Sequence, residues 1–259
     1  MSLAVTQNAM TSFNLVFDTR GYELDAEARV PAHMWLRYME HLRWLYTVRN
    51  MPEVSALFRK GHAIVVVAQT LRIERDIGVA VPIRGRLWIG RTGRSSVVFN
   101  HTFHHADDGE LLAAGSITAV YLGLKGVSTP LPDSLFRVDT DSSETPVLTP
   151  PKFSEMPPAP FEYSYRVRTS DLDFLRHMNQ SNYAALYDDT RQAAAECSAY
   201  GPGGRGSGRV RFLHIEYLHP AMKGEKLVVA TWSIGGDPLT LEFAMHRNGA
   251  LISRAVIRV

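Results

Sequence analysis

The order strand, long helix, several strands is written twice in this chain of 259 residues, and that repeat restricts the fold more than any single motif. Residues 12–22 alternate apolar and polar, with Phe13, Leu15 and Phe17 on one face, as a half-buried strand does. A helix is predicted over 31–49. It carries two apolar sets at helical spacing, Met34, Tyr38, Leu42 and Leu45, then Trp35, Met39, Leu42 and Tyr46, so most of its sides are enclosed. Runs at 62–74, 81–91, 95–105 and 111–122 read as strands, three of them separated by turns at Gly93 and Asp108-Gly109, which implies an antiparallel sheet. From residue 161 the order starts again: strand 161–168, helix 181–197, a glycine-rich loop, and strands 210–218, 226–234, 239–246 and 251–259. Laying Asp25 on Asp173 puts Trp35 on Tyr183, Tyr38 on Leu186, Glu40 on Asp188 and Arg43 on Arg191 without a gap, and Ile73-Glu74 meets Ile215-Glu216 after a short insertion. Two equivalent units predict an internal pseudo-dimer.

The class is therefore α+β, with an N-terminal domain over 1–137, a linker over 138–160 and a C-terminal domain over 161–259. The linker is rich in Asp, Ser, Thr and Pro and reads as an extended spacer with too few large apolar groups to build core. The chain is 45% apolar, enough for a sizeable core, and its net charge of +2 gives no case for nucleic acid. Its one cysteine, Cys197, excludes an intrachain disulfide framework and reads as a small buried residue. No stretch has the length and apolarity of a membrane span, and residues 1–13 lack a leader pattern, so a cytoplasmic protein is expected. A further homodimer is left open.

Chemistry concentrates in 168–183. Asp171, Asp173, His177, Asn179, Asn182 and Tyr183 lie where an extended segment gives way to a helix, whose unpaired N–H groups and partial positive charge suit a developing oxyanion. The segment can thus supply both the attacking and the stabilising side of acyl transfer.

At these residues the pattern Asp171-x-Asp173-x-x-x-His177-x-Asn179-x-x-Asn182-Tyr183, ending in Asp188 and Arg191, resembles the hot-dog-fold thioesterases. The tandem layout resembles their acyl-ACP branch, in which two hot-dog domains, each a sheet curled around a long helix, share one polypeptide. Asp25 and the block Leu36-Arg37-Tyr38-Met39-Glu40-x-x-Arg43 resemble the single-domain acyl-CoA enzymes of that superfamily. The resemblance implies hydrolysis of an acyl thioester of CoA or acyl carrier protein in lipid metabolism, without cofactor or metal. Asp173 would act as nucleophile or general base with His177, Asn179 would orient the imidazole or cap the helix, and Asn182 and Tyr183 would face the substrate. Compared with the plant acyl-ACP enzymes, Leu175 stands in place of an Asn, and Pro220 and Ala221 in place of a Glu and a Cys, so only the Asp and the His carry over. A non-catalytic acyl-binding or carrier-docking module and a hot-dog enoyl hydratase or dehydratase are the alternatives.

In the first unit Asp25 keeps the carboxylate, but Arg29 and Pro31 replace the His and Asn. Glu40 is a secondary candidate whose plainer role is an ion pair with Arg43 at i+3. Asp171 reads as a turn former. His101, His104, His105, Asp107 and Asp108 include metal-ligand types, but strand alternation separates them, and a solvated hairpin end is expected. The loop 201–208, with Arg205 and Arg209, suits a phosphate of CoA or phosphopantetheine or a simple mobile loop, and Arg211 adds to a patch that could dock a carrier protein.

Overall fold

The computed structural model describes residues 12–132, 136, 138, 148–203 and 205–259, with the side chains of Pro52, Ser55 and Lys125 excepted. Residues 1–11 and most of 133–147, including the centre of the expected linker, lie outside the described residues.

Strand β1 (Ser12–Asp18) ends earlier than the alternation suggested, because the chain turns into a single 3-10 turn at Gly21–Glu23. Helix α1 (Ala32–Asn50) follows, and Pro52 at the start of α2 (Pro52–Arg59) makes a second, short helix that the sequence reading missed. Strands β2 (Ala63–Ile73), β3 (Pro82–Thr92), β4 (Ser96–His105) and β5 (Leu111–Leu122) complete the first unit. The second unit holds β6 (Phe161–Arg166), α3 (Gln180–Glu196), β7 (Phe212–Tyr217), β8 (Lys226–Gly235), β9 (Thr240–Arg247) and β10 (Ala250–Arg258).

The ten strands among the described residues form one sheet in the order β1-β3-β4-β5-β2-β7-β10-β9-β8-β6, with antiparallel neighbours throughout. The two halves have the same strand order, mirrored about the β2–β7 seam. Leu71 faces Leu213 there, and these two occupy the same place in the repeats once Ile73 is laid on Ile215. The pseudo-two-fold axis therefore passes through the seam, as in a self-complementary dimer interface.

Both long helices pack on the sheet and touch each other. Trp35, Leu36, Met39 and Leu42 of α1 and Tyr187 and Ala194 of α3 are fully buried. Close approach requires small residues beneath α1: a Cβ on Gly115 would come within 2.6 Å of the Met39 sulfur and 3.1 Å of the Thr70 carbonyl. No helix among the described residues is long and apolar enough to cross a membrane.

The described part of the linker is not merely a spacer. Ser154 N–H and Oγ donate to the fully buried Glu242 carboxylate (3.0 and 2.8 Å to Oε2), and the Arg254 guanidinium stacks 4.0 Å from the Phe153 ring. A buried carboxylate needs such donors, and proline-rich chain can still deliver them.

Candidate active site

The turn before each helix is built on the same plan. In the second unit Asp173 N–H donates to the His177 carbonyl (3.0 Å), Arg176 N–H to the Asp173 carbonyl (3.0 Å), and Leu175 N–H to Asp173 Oδ1 (2.8 Å). In the first, Asp25 N–H donates to the Arg29 carbonyl (2.9 Å), Ala28 N–H to the Asp25 carbonyl (3.0 Å), and Glu27 N–H to Asp25 Oδ1 (2.9 Å). Arg176 and Ala28 share the left-handed backbone, at φ 65° and 58°. A preceding 3-10 turn buttresses each loop through Arg168 and Asp171 or through Arg20 and Glu23. Asp171 is spent there: Tyr165 Oη (2.7 Å) and Arg168 donate to it, and these partners hold its carboxyl below the usual value against the opposing effect of burial.

Matching turns support different sites. A cavity of about 380 Å³ lies at the seam beside Asp173 and His177, lined by Glu40, Arg43 and Trp44 of α1, Ile64 to Val67 of β2, Phe174, Leu175, Gln180, Tyr183 and Tyr217. It sits where β2 and β7 part company: their pairing ends at Ala68 opposite Glu216, and the chain on both sides beyond that point lines the cavity. A bulge between Val66 and Ala68 helps three consecutive valines reach it. Asp173 Oδ2 stands 3.4 Å from His177 Nδ1, an ion-pair distance.

One placement decides between two roles left open by the sequence, and two others correct it. Asn179 does not reach the imidazole; its Oδ1 caps α3 by accepting from Ser181 N–H (2.9 Å) and Oγ (2.7 Å), and its Nδ2 donates across the seam to Glu40 (3.1 and 3.3 Å). Glu40 is therefore turned toward Asn179 and makes no ion pair with Arg43. The pair expected there exists instead at the equivalent place in the second unit, where Asp188 holds Arg191 at 2.6 Å. Asn182 does not line the cavity: it donates to the Asp171 carbonyl (2.9 Å) and accepts from Arg37 (3.0 Å), while Tyr183 does line it, its hydroxyl accepting from Ala221 N–H (2.9 Å).

Gln180 went unnoticed in the sequence. Its backbone N–H, the first of α3, has no described partner, its side-chain Nε2 is buried and unpartnered, and the residue is part of the wall of the cavity that holds Asp173. Only its position directly after the cap could have marked it. Arg43 is 8% exposed, with no hydrogen bond or ion pair among the described residues; the Trp44 ring lies 5.7 Å away. Burial pulls its pKa down, with the Glu40 charge opposing.

The equivalent cavity on the opposite side, about 370 Å³, is lined by matched charges. Arg209 Nη1 holds Asp25 Oδ2 at 2.6 Å and also pairs with Glu27, Arg211 and Arg29 pair with Asp76, and Arg191 donates to the Gly206 and Gly208 carbonyls. So Arg209 and Arg211 are committed to carboxylates outside the Asp173 cavity, and Gly206 and Gly208 of the loop turn their carbonyls to Arg191. Arg205 is exposed, away from the Asp173 cavity. His101 also departs from expectation: it is fully buried beneath α1, with a pKa pushed down to about 3 by burial and then by Arg43, against the backbone of Met39, Phe99 and Gly115, which favours the charged ring. Cys197 is exposed at the end of α3.

A sequence model of the thioesterase-like superfamily matches residues 20–158. Among curated proteins none matches the chain. An acyl-ACP thioesterase from Bacteroides thetaiotaomicron superposes with a TM-score of 0.80 at 13% identity, covering 96% of this chain and 97% of that one. The 12:0-ACP thioesterase from Umbellularia californica does so with a TM-score of 0.77 at 16% identity, covering 96% of both. These likenesses span both units, so the fold is the tandem hot-dog arrangement.

Proposed function

We propose, from the premise that the chain belongs to the thioesterase-like superfamily, that it hydrolyses an acyl thioester carried on a phosphopantetheine arm, of coenzyme A or of acyl carrier protein. One observation carries this reading: a carboxylate–imidazole pair, the first residue of α3 and apolar walls line a single cavity at the seam. Asp173 supplies the attack, on the carbonyl carbon itself or through a water whose proton it takes, with His177 beside it. The carbonyl oxygen is received by the Gln180 donors at the positive end of α3, where an oxyanion is stabilised most as its charge grows. The acyl group lies among Trp44, the β2 valines and Leu175, and the cavity volume is within the usual range of about 300–1,000 Å³ for small-molecule sites. Water and thioester give a free acid and a free thiol.

Thiol release from a panel of acyl-CoA and acyl-ACP substrates tests the reading. Turnover on some member is expected; folded protein that binds acyl groups without releasing thiol would instead support an acyl-binding module.

A further inference from the structure

The two repeats provide an internal comparison for Arg43. Its counterpart Arg191 is satisfied completely, by Asp188 and by the Gly206 and Gly208 carbonyls. Arg43 has lost each of these: Glu40 is diverted to Asn179, and no carbonyl takes its place among the described residues. A guanidinium stays charged, and its Nε is buried with no acceptor, which is costly. It also lies in the wall of the seam cavity that holds Asp173, beside the Glu40 carboxylate, whose oxygens each keep a further lone pair. A hydrocarbon chain would leave Arg43 unmet and offer Glu40 no donor beyond Asn179.

Resting on the thioester reading, we propose that the acyl group taken by this cavity carries a hydroxyl, which accepts from Arg43 and donates to Glu40. A hydroxyl is the function that offers both an acceptor lone pair and a proton; a carboxylate would satisfy Arg43 but oppose Glu40 and Asp173. Sites with buried donors reject ligands that lack the matching group by large factors, because the donors are then left unpaired.

The test uses octanoyl thioesters of N-acetylcysteamine, plain, with one hydroxyl at successive carbons, or with a terminal carboxylate, together with their hydrolysis-inert amides. For the best-placed hydroxyl, kcat/KM for the thioester and affinity for the amide by calorimetry are expected to exceed those of the plain chain about tenfold or more. In Arg43→Met the ratio is expected to collapse toward one, with Arg43→Lys intermediate. Equal or better use of the plain or carboxylated chain at every position, or a hydroxyl preference that survives in Arg43→Met, would overturn the proposal. If Arg43→Met does not fold, the wild-type ratios and Arg43→Lys still decide. Absence of thiol release sinks the hydrolase reading alone, since the amide affinities judge the hydroxyl preference separately.

Discussion

Asn179 links the two units at the site, and its contribution can be worked from its bonds. The side chain caps α3 and donates to Glu40 from across the seam. Losing an N-cap costs about 1 kcal/mol. A hydrogen bond to a charged group is worth about 1.5–3 kcal/mol, and toward the lower end for a partly exposed pair such as this one. Asn179→Ser keeps an acceptor for the cap and loses Glu40, so about 1–2 kcal/mol is expected; Asn179→Ala loses both, about 2–3 kcal/mol. Urea unfolding with an unchanged slope reads these costs. The decisive arm is a double-mutant cycle: in a Glu40→Leu chain, Asn179→Ser is expected to fall within about 0.5 kcal/mol of neutral. An equal cost in both backgrounds would show that Asn179 acts only through the helix, and the argument that it positions Glu40 would fail.

Gln180→Leu removes the buried side-chain donor of this cavity-lining residue and is expected to lower kcat about a hundredfold with little change in KM; an unchanged kcat would remove the Gln180 side chain from the oxyanion site. Arg209→Met releases Asp25 in the opposite cavity, and about 1 kcal/mol of stability is expected to go while thiol release stays as in wild type, because Arg29 and Pro31 stand there in place of His and Asn. His101 sets an acid limit. Below about pH 6.5 the unfolded chain binds a proton at His101 that the folded chain refuses down to about pH 3, so stability falls as pH drops through that window, by up to about 1.4 kcal/mol per pH unit. At higher pH the ring is neutral in both states and contributes nothing. Asp25 and Asp171, held below 3.8, add their losses only below that value. A His101→Gln chain is expected to show a flatter decline in urea midpoint between pH 6.5 and 4, and an unaltered slope would contradict the burial argument.

Local patterns revealed what is decided locally. Alternation and helical spacing located the strands and both long helices, and the equivalence of Asp25 with Asp173 extends to matching hydrogen bonds in the two turns. What depended on docking the units could not be read this way. Glu40 and Asn179 meet only because α1 and α3 lie side by side, so the i+3 pairing of Glu40 with Arg43, reasonable on an isolated helix, gave way to a partner in the other unit. Arg209 looked like a phosphate ligand for the same reason: its carboxylate partners belong to the first unit. Composition alone also hid the role of Ser154, since a buried acceptor on β9 is what gives the linker segment its place.

The measurement that bears most directly on the account is single-turnover thiol release by Asp173→Ala and Asp25→Ala beside wild type, on the best substrate of the panel. The account predicts that Asp173→Ala loses at least about a thousandfold in rate, as removal of an attacking group does, while Asp25→Ala stays within a few-fold of wild type. Equal losses in both variants, or loss in Asp25→Ala alone, would contradict the assignment of the chemistry to the seam cavity beside Asp173.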